Sequence, residues 1–165
     1  GADSPPRMVE RQDMTQPDYP DLASRIAALC ADEHDEIALM ATLVCELHHA
    51  LPQADWTGIY RVVAPETLKI GPYQGGHGCL TIPFSRGVCG AAARERRAQI
   101  VDDVEAFPGH IACSATTRSE LVLPIFGAGG RLIGVLDIDS DTPAAFDRGD
   151  ADALAAILAE TFGRL

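Results

Sequence analysis

The sequence lacks the features that mark membrane proteins and nucleic-acid-binding proteins. No apolar run approaches the roughly 20 residues of a membrane-spanning helix, and the chain does not open with a basic segment followed by an apolar one. Lys and Arg number only 13 against 24 Asp and Glu, which gives a net charge of -11. Because binding to phosphate backbones needs clustered Lys and Arg, we expect no nucleic-acid partner. We expect a cytoplasmic protein with no membrane partner.

The length and composition fit one domain. The chain has 165 residues, of which 47% are hydrophobic, enough to close one core without a metal or disulfide. Residues 1–20 are rich in Pro, Asp, Gln and Arg without a sustained apolar period, so we expect a disordered tail there. The single domain is then expected over residues 21–165.

The spacing of apolar residues changes along the domain. Helical spacing predicts four helices, over residues 21–30, 35–50 and 87–97 and after Asp147, which is placed to cap the last one. Alternation and turn signals predict six strands, over residues 56–61, 67–70, 80–83, 99–101, 120–126 and 131–139. Loops are expected at residues 71–78 and 102–117. This order predicts an α+β fold with a mostly antiparallel sheet of about six strands, the terminal helices on one face and a loop-covered cavity on the other.

The five cysteines occupy two kinds of position. Cys30 and Cys45 fall on or beside apolar helix stripes, which is typical of buried, unreactive thiols. Cys79, Cys89 and Cys113 instead lie in loops or at the ends of elements. Cys89 is close to a predicted helix start, where backbone N–H groups and the helix dipole favour a thiolate.

The three loop cysteines allow three interpretations. They are unreactive thiols, a redox pair, or part of a structural zinc site with His110. Structural zinc sites usually take their ligands in closely spaced pairs, and His110 with Cys113 is the only such pair among these residues. We therefore expect no metal, and the residues alone leave the other two interpretations equally open.

Three carboxylates are expected to converge on one face of the sheet. Asp137 and Asp139 are two apart on a predicted strand and so point to the same side. Glu120 begins the strand that pairs with theirs through the glycine-rich hairpin at residues 127–130. Crowded carboxylates cannot all ionise cheaply, so one is expected to have a raised pKa and to donate a proton near neutral pH. The alternative is a solvated strand end.

Trp56 and Tyr60 are four apart on a predicted strand and also share a face. Core packing is the usual reason for such a pair. The alternative is an aromatic wall for a ligand, because aromatic rings make favourable contacts with thioether and methyl groups.

Seven motifs carry a resemblance to a known family. They are DWTGIY (55–60), GPYQG (71–75), CLTIPF (79–84), GVCG (87–90), FPGHIAC (107–113), SELVLPI (119–125) and GVLDIDS (134–140). From about residue 28 to residue 162 the chain resembles the free methionine-(R)-sulfoxide reductases, enzymes built on a GAF domain. The resemblance implies a GAF-like fold and the reduction of free L-methionine (R)-sulfoxide to L-methionine, with no cofactor.

The resemblance also implies roles for individual residues. The Cys113 thiolate attacks the sulfoxide and becomes a sulfenic acid, which Cys79, or in a second version Cys89, converts into a disulfide that thioredoxin reduces. The positions that would contact the substrate are Trp56, Tyr60, Glu120, Asp137 and Asp139. The backbone amides of the segment after Cys113 are expected to help hold the substrate, at Ser114, Ala115 and Thr116.

The main alternative is a non-catalytic GAF sensor that binds a small ligand in the same cavity. Three cysteines in family-specific contexts favour the enzyme. Homodimers are common among GAF proteins, so we include a homodimer among the expected assemblies. The chain departs from the family pattern at Gly76-His77-Gly78, before Cys79, and in the segment 114–118, after Cys113.

Overall fold

The computed structural model describes residues 16–165, which contain four α-helices, six strands and two short 3₁₀ helices. The helices are α1 (Tyr19–Leu29), α2 (Glu36–Ala50), α3 (Gly87–Glu95) and α4 (Arg148–Phe162). The strands are β1 (Trp56–Ala64), β2 (Thr67–Gln74), β3 (Thr81–Pro83), β4 (Gln99–Val101), β5 (Ser119–Phe126) and β6 (Leu132–Ser140). None of these helices is long and apolar enough to cross a membrane. The predicted tail lies outside the described residues as far as residue 15, and the division into tail and domain stays a prediction.

The strands form one sheet in the order β3-β2-β1-β6-β5-β4. Every neighbouring pair is antiparallel, including the long-range pair of β1 with β6 at the centre. The predicted α+β fold with a six-stranded, mostly antiparallel sheet is confirmed. Because β1 and β6 are neighbours, side chains from residues near 56 and near 138 meet on the same face.

Each face of the sheet has its own apolar cluster. Helices α1, α2 and α4 cover one face, where they pack on alternate strand residues such as Ile59, Leu123 and Leu136. On the other face, α3 and the surrounding loops cover a smaller cluster that includes Trp56 and Tyr60. The terminal helices and the cavity therefore lie on opposite faces, as the sequence predicts. We call these the helix face and the cavity face.

Aspartate side chains cap the starts of three helices, α1, α2 and α4, and at α2 Asp35 accepts a hydrogen bond from the Ile37 N–H at 3.1 Å. Asp18 accepts a hydrogen bond from the Asp21 backbone N–H at 3.0 Å, so α1 starts two residues before the predicted position. Asp147 and Asp150 form a reciprocal capping box at the start of α4, which confirms the cap that the sequence predicts there. These caps define the N-terminal ends of the terminal helices, which cover the helix face.

Strand β2 continues to Gln74, so the prediction of a loop from residue 71 was wrong for its first half. The glycine at position 71 has a packing reason instead. A Cβ there would come within 2.9 Å of the Ile59 carbonyl oxygen on β1, so the glycine permits close approach of two strands. The connecting loop is limited to residues 75–80, and Cys79 lies within it.

The two cysteines on the N-terminal helices differ from each other. Cys30 is buried as predicted, and burial raises the pKa of its thiol. Cys45 is only half-buried, and its Sγ lies 3.8 Å from Nδ1 of His49, one helical turn further along. The prediction of a buried thiol is therefore wrong for Cys45, because its side chain lies at the edge of the α2 stripe. Both cysteines belong to helices of the helix face.

Candidate active site

A disulfide joins Cys79 to Cys113 across the mouth of the cavity. The two residues are 34 apart in the sequence and their Cα atoms lie 5.3 Å apart. Cys79 comes from the loop between β2 and β3, whereas Cys113 comes from the loop before β5. These are the two cysteines that the family resemblance pairs. Because the Cys113 sulfur is bonded to Cys79, the pair of His110 and Cys113 cannot both serve as zinc ligands in this oxidised state.

Cys89 remains a free thiol, and its protonation state corrects the sequence prediction. It is the third residue of α3, as expected, but it is buried below the sheet instead of exposed at the helix start. Burial raises the pKa of this thiol well above its ordinary value, and the nearby Asp137 and Glu120 carboxylates raise it further. Desolvation and like charge outweigh the helix dipole, so the Cys89 thiol keeps its proton.

The three predicted carboxylates do converge on the cavity face. Glu120 on β5 and Asp139 on β6 are direct register partners, and Asp137 is two residues back on the same side of β6. The three carboxyl groups are close enough to raise one another's pKa values. One oxygen each from Glu120 and Asp137 lies within 4.8 Å of Cys89 Sγ. One oxygen of Asp137 and one of Asp139 are buried with no hydrogen-bond partner among the described residues. We call Glu120, Asp137 and Asp139 the acid cluster.

Burial raises the pKa of every carboxyl in the acid cluster well above its ordinary value. The second cause is a neighbour of like charge: Asp139 for Glu120, Glu120 for Asp137, and Asp137 for Asp139. Protons bind to a cluster of this kind as a shared set, not to fixed residues. Burial and like charge therefore favour the protonated forms of these carboxyls, which is the direction that the sequence predicts.

A ladder of aromatic rings forms one wall of the cavity. The rings of Trp56 and Tyr60, which both line the cavity, stack with centroids 5.9 Å apart. The ring of Tyr73, which does not line the cavity, stacks on Trp56 at 5.4 Å. A Cβ at Gly58 would overlap the Trp56 ring, so this glycine gives the indole its place against the strand. Burial raises the pKa of Tyr60, so its hydroxyl stays protonated. The wall offers flat apolar surface beside a proton-bearing floor.

The cavity enclosed by these groups measures about 530 Å³ out to its open mouth. Most of the predicted site residues line it. They are Trp56, Tyr60, Cys89, Cys113, Ser114, Glu120, Asp137 and Asp139. Sequence reasoning had assigned no ligand contact to several other lining residues, among them His77, Ile111 and Thr117.

The Cys113 loop differs in detail from the prediction of free backbone amides. The Cys113 N–H donates to the Ile111 carbonyl at 3.1 Å, and the Thr116 N–H donates to Ser114 Oγ at 3.4 Å. Ala115 and Thr116 are exposed and do not line the cavity. The amides of Ser114 and Ala115 have no partner among the described residues. Local turn formation therefore takes up the Thr116 amide, one of the three amides that the sequence predicts to hold the substrate, as well as that of Cys113.

Three side chains of the described chain present possible metal ligands at close range. Cys89 Sγ and one oxygen each from Glu120 and Asp137 all lie within 4.8 Å of one another and are buried. A metal would have to displace the protons that these groups hold. The arrangement suits proton sharing among a thiol and two carboxyls.

Tyr73 is the main aromatic residue that the sequence reasoning missed. It lies on the part of β2 that was predicted as loop, and it is the register partner of Gly58. A glycine facing an aromatic across two strands is a recognisable cross-strand signal once the strand boundary is right.

Comparison with known proteins agrees with this geometry. A family model described as a GAF domain matches residues 24–164. The free methionine-R-sulfoxide reductase of Escherichia coli is 39% identical over 142 residues, covering 86% of this chain and 85% of that protein. The reduced form of fRMsr from Staphylococcus aureus superposes with a TM-score of 0.84 at 42% identity, covering 88% of this chain and 94% of that one.

A third relative was solved with a ligand. It is the free methionine-R-sulfoxide reductase of Neisseria meningitidis in complex with its substrate, at 41% identity and a TM-score of 0.82. The match covers 87% of this chain and 85% of that one. The chain therefore belongs to the GAF-domain family and, within it, to the free methionine-R-sulfoxide reductases.

Proposed function

We propose that this chain reduces free methionine-R-sulfoxide to methionine, with Cys79 and Cys113 as its redox pair. The observation that carries the proposal is the Cys79–Cys113 disulfide at the mouth of a cavity whose floor is the acid cluster. A redox-active sulfur and a proton source that line one cavity are what the removal of an oxygen atom from sulfur requires. Relatives at about 40% identity carry the same activity in their names.

Cys113 is the nucleophile in this mechanism, because it lines the cavity and Cys79 does not. Its thiolate attacks the sulfoxide sulfur, the sulfur–oxygen bond breaks, and the oxygen ends on Cys113 as a sulfenic acid. Methionine leaves with the electron pair. The Cys79 thiol then attacks the Cys113 sulfur, a disulfide forms, and the oxygen departs as water.

The acid cluster supplies the proton that this oxygen needs. A protonated carboxyl that donates a hydrogen bond to the sulfoxide oxygen stabilises the charge that develops as the bond breaks. Glu120, Asp137 and Asp139 share this role, since their protons titrate together. A carboxylate of the acid cluster that is ionised attracts the ammonium group of a free amino acid.

The aromatic wall and the Cys113 loop account for the rest of the substrate. The rings of Trp56 and Tyr60 suit the methyl group and the thioether that forms. The amide of Ser114, which lines the cavity and has no hydrogen-bond partner among the described residues, is the group that we propose for the substrate carboxylate. Selection of a free amino acid over a peptide follows, because both the ammonium and the carboxylate are recognised.

Recycling requires a dithiol reductant, for which we propose thioredoxin. Reduction of the Cys79–Cys113 disulfide transfers two electrons and two protons from two thiols and leaves a disulfide on the reductant. We expect the enzyme to work in a reducing compartment such as the cytoplasm for the same reason. A homodimer stays a prediction.

The test uses the reduced protein with both epimers of free methionine sulfoxide. With dithiothreitol as reductant, we expect methionine from the R epimer and none from the S epimer or from a peptide-bound sulfoxide. Replacing dithiothreitol by thioredoxin, its reductase and NADPH tests the reductant separately. Cys45→Ser, on the helix face, is the control and should turn over normally. Binding of the R epimer without turnover would favour the alternative, a GAF sensor.

A further inference from the structure

Trp56 serves both the cavity and the loop that carries Cys79. One side of its indole lines the cavity, and its Nε1–H donates a hydrogen bond of 2.7 Å to the carbonyl of Gly76. Gly76 lies three residues before Cys79 in the loop 75–80. The same ring therefore touches the substrate space and the backbone that leads to the second sulfur of the redox pair.

The backbone on either side of this hydrogen bond is fitted against the aromatic residues. A Cβ at Gly75 would lie 3.0 Å from Trp56 Cδ1, and one at Gly78 would lie 2.9 Å from Cζ2 of the same ring and 3.0 Å from the Tyr60 hydroxyl. Gly76 is different, because a Cβ there would meet nothing within 4 Å. The loop thus wraps the indole edge at two glycines and presents a carbonyl to it at the third.

Apart from this bond, the loop is attached only near its end. The Leu80 carbonyl accepts a hydrogen bond of 3.0 Å from the Ile70 N–H, and the disulfide holds Cys79 in the oxidised state. Within the described chain, residues 75–79 make no backbone–backbone hydrogen bond, and the bond from Trp56 is the one hydrogen bond that they receive. Gly76 and His77 are exposed, and the neighbouring Leu80 is 70% exposed. Three glycines in four residues make the segment expensive in conformational entropy to order. Without a tether, the Cys79 thiol would be spread over many positions.

We propose that the Trp56 indole N–H is a latch that positions the Cys79 loop for disulfide formation. Trp56 is a positioning residue in this step, in addition to the substrate contact proposed for it. The catalytic role of the latch rests on the proposed function. The step that it promotes is attack of the Cys79 thiol on the Cys113 sulfenic acid, which forms the disulfide and releases water. The latch also shifts the disulfide–dithiol equilibrium itself, which is measurable without substrate.

The decisive experiment measures the reduction potential of the Cys79–Cys113 pair in substrate-free protein equilibrated with dithiothreitol buffers. Trp56→Phe removes the N–H and keeps a flat apolar ring. We expect its disulfide to be weaker by about fivefold, the effect of one ordinary hydrogen bond, which raises the potential by about 20 mV. A potential equal to that of the unaltered protein would overturn the proposal.

Two glycine variants keep the test independent of the loss of the indole. Gly78→Ala leaves the N–H intact but forces the loop away from the ring, so it should shift the potential in the same direction as Trp56→Phe. Gly76→Ala keeps the accepting carbonyl, and its added methyl group meets open space, so the potential should not change. A shift for Gly76→Ala as large as that for Gly78→Ala would contradict the latch, because it would indicate a general effect of stiffening the loop.

A kinetic measurement connects the latch with catalysis. After one turnover with free methionine-R-sulfoxide, Gly78→Ala should accumulate a Cys113 sulfenic acid that dimedone traps, while Gly76→Ala should pass to the disulfide without accumulation. Equal trapping in both variants would overturn the catalytic role. Absence of methionine from the unaltered protein would instead overturn the proposed function and leave the equilibrium result intact.

Discussion

The two faces of the sheet use neighbouring residues of the same strands for opposite purposes. On β6, Leu136 and Ile138 belong to the apolar cluster of the helix face. The residues that alternate with them along the strand, Asp137 and Asp139, line the cavity on the other face. Leu136 and Ile138 are fully buried, and Asp137 is almost fully buried as well. Alternation along one strand thus separates the residues that stabilise the fold from those assigned to its chemistry.

Burial of side chains has opposite effects on the free energy of folding at the two faces. Burial of an apolar side chain such as Leu136 contributes about 1.5–3 kcal/mol to folding. Burial of a carboxyl such as Asp137 opposes folding unless it keeps a proton, as the raised pKa records. The helix face therefore offsets the destabilising groups that the cavity face carries, which is common where function needs strained or desolvated groups.

Leu136→Ala should give the largest change in stability. We expect the free energy of unfolding to fall by about 3 kcal/mol, because the side chain is fully buried between Ile59 and Leu123 on the neighbouring strands. Urea unfolding of the oxidised protein measures this. The folded fraction should retain its reductase activity, since no cavity group is altered. Loss of activity in fully folded Leu136→Ala would show that the two faces are not separable.

Asp137→Asn, one residue away, should change the pH dependence of stability. Burial first, and then Glu120, raises the pKa of Asp137, so the folded protein binds more protons than the unfolded chain above the ordinary carboxyl pKa of about 4. Raising the pH through this range therefore lowers the free energy of unfolding. Replacement by Asn removes one such group and also relieves Asp139.

As the pH rises above the ordinary carboxyl pKa, the unaltered protein should lose more stability than the variant. Urea unfolding at several pH values checks it. Asp102→Asn, outside the acid cluster, is the control and should follow the unaltered protein. Parallel curves for Asp137→Asn and the unaltered protein would show that the carboxyl is ionised at no unusual cost.

The sequence predicted the fold and the acid cluster because both follow from local periodicity and pairing. Asp137 and Asp139 share a face by spacing alone, and the hairpin brings Glu120 opposite Asp139. The glycines of that hairpin include Gly129 and Gly130 at φ of 70° and 78°, as a tight connection needs. Features that involve only one strand or two neighbouring strands can therefore be predicted from the sequence.

Features that depend on distant parts of the chain were not readable in this way. The helix position of Cys89 was right, but its protonation depends on Asp137 and Glu120, which approach only through the folded sheet. The stacking of Tyr73 on Trp56 and the hydrogen bond from Trp56 to Gly76 likewise require the register of β1 and β2. The Cys79–Cys113 pairing came from the family resemblance, because nothing in their spacing indicates it.

The most direct test of the account is the amount of methionine that each reduced cysteine variant forms in a single turnover with free methionine-R-sulfoxide. Cys79→Ser should yield about one methionine per enzyme, because the Cys113 sulfenic acid forms before the second cysteine acts. Cys113→Ser should yield none. A burst of methionine from Cys113→Ser would contradict the assignment of Cys113 as the nucleophile and with it the proposed role of the cavity face.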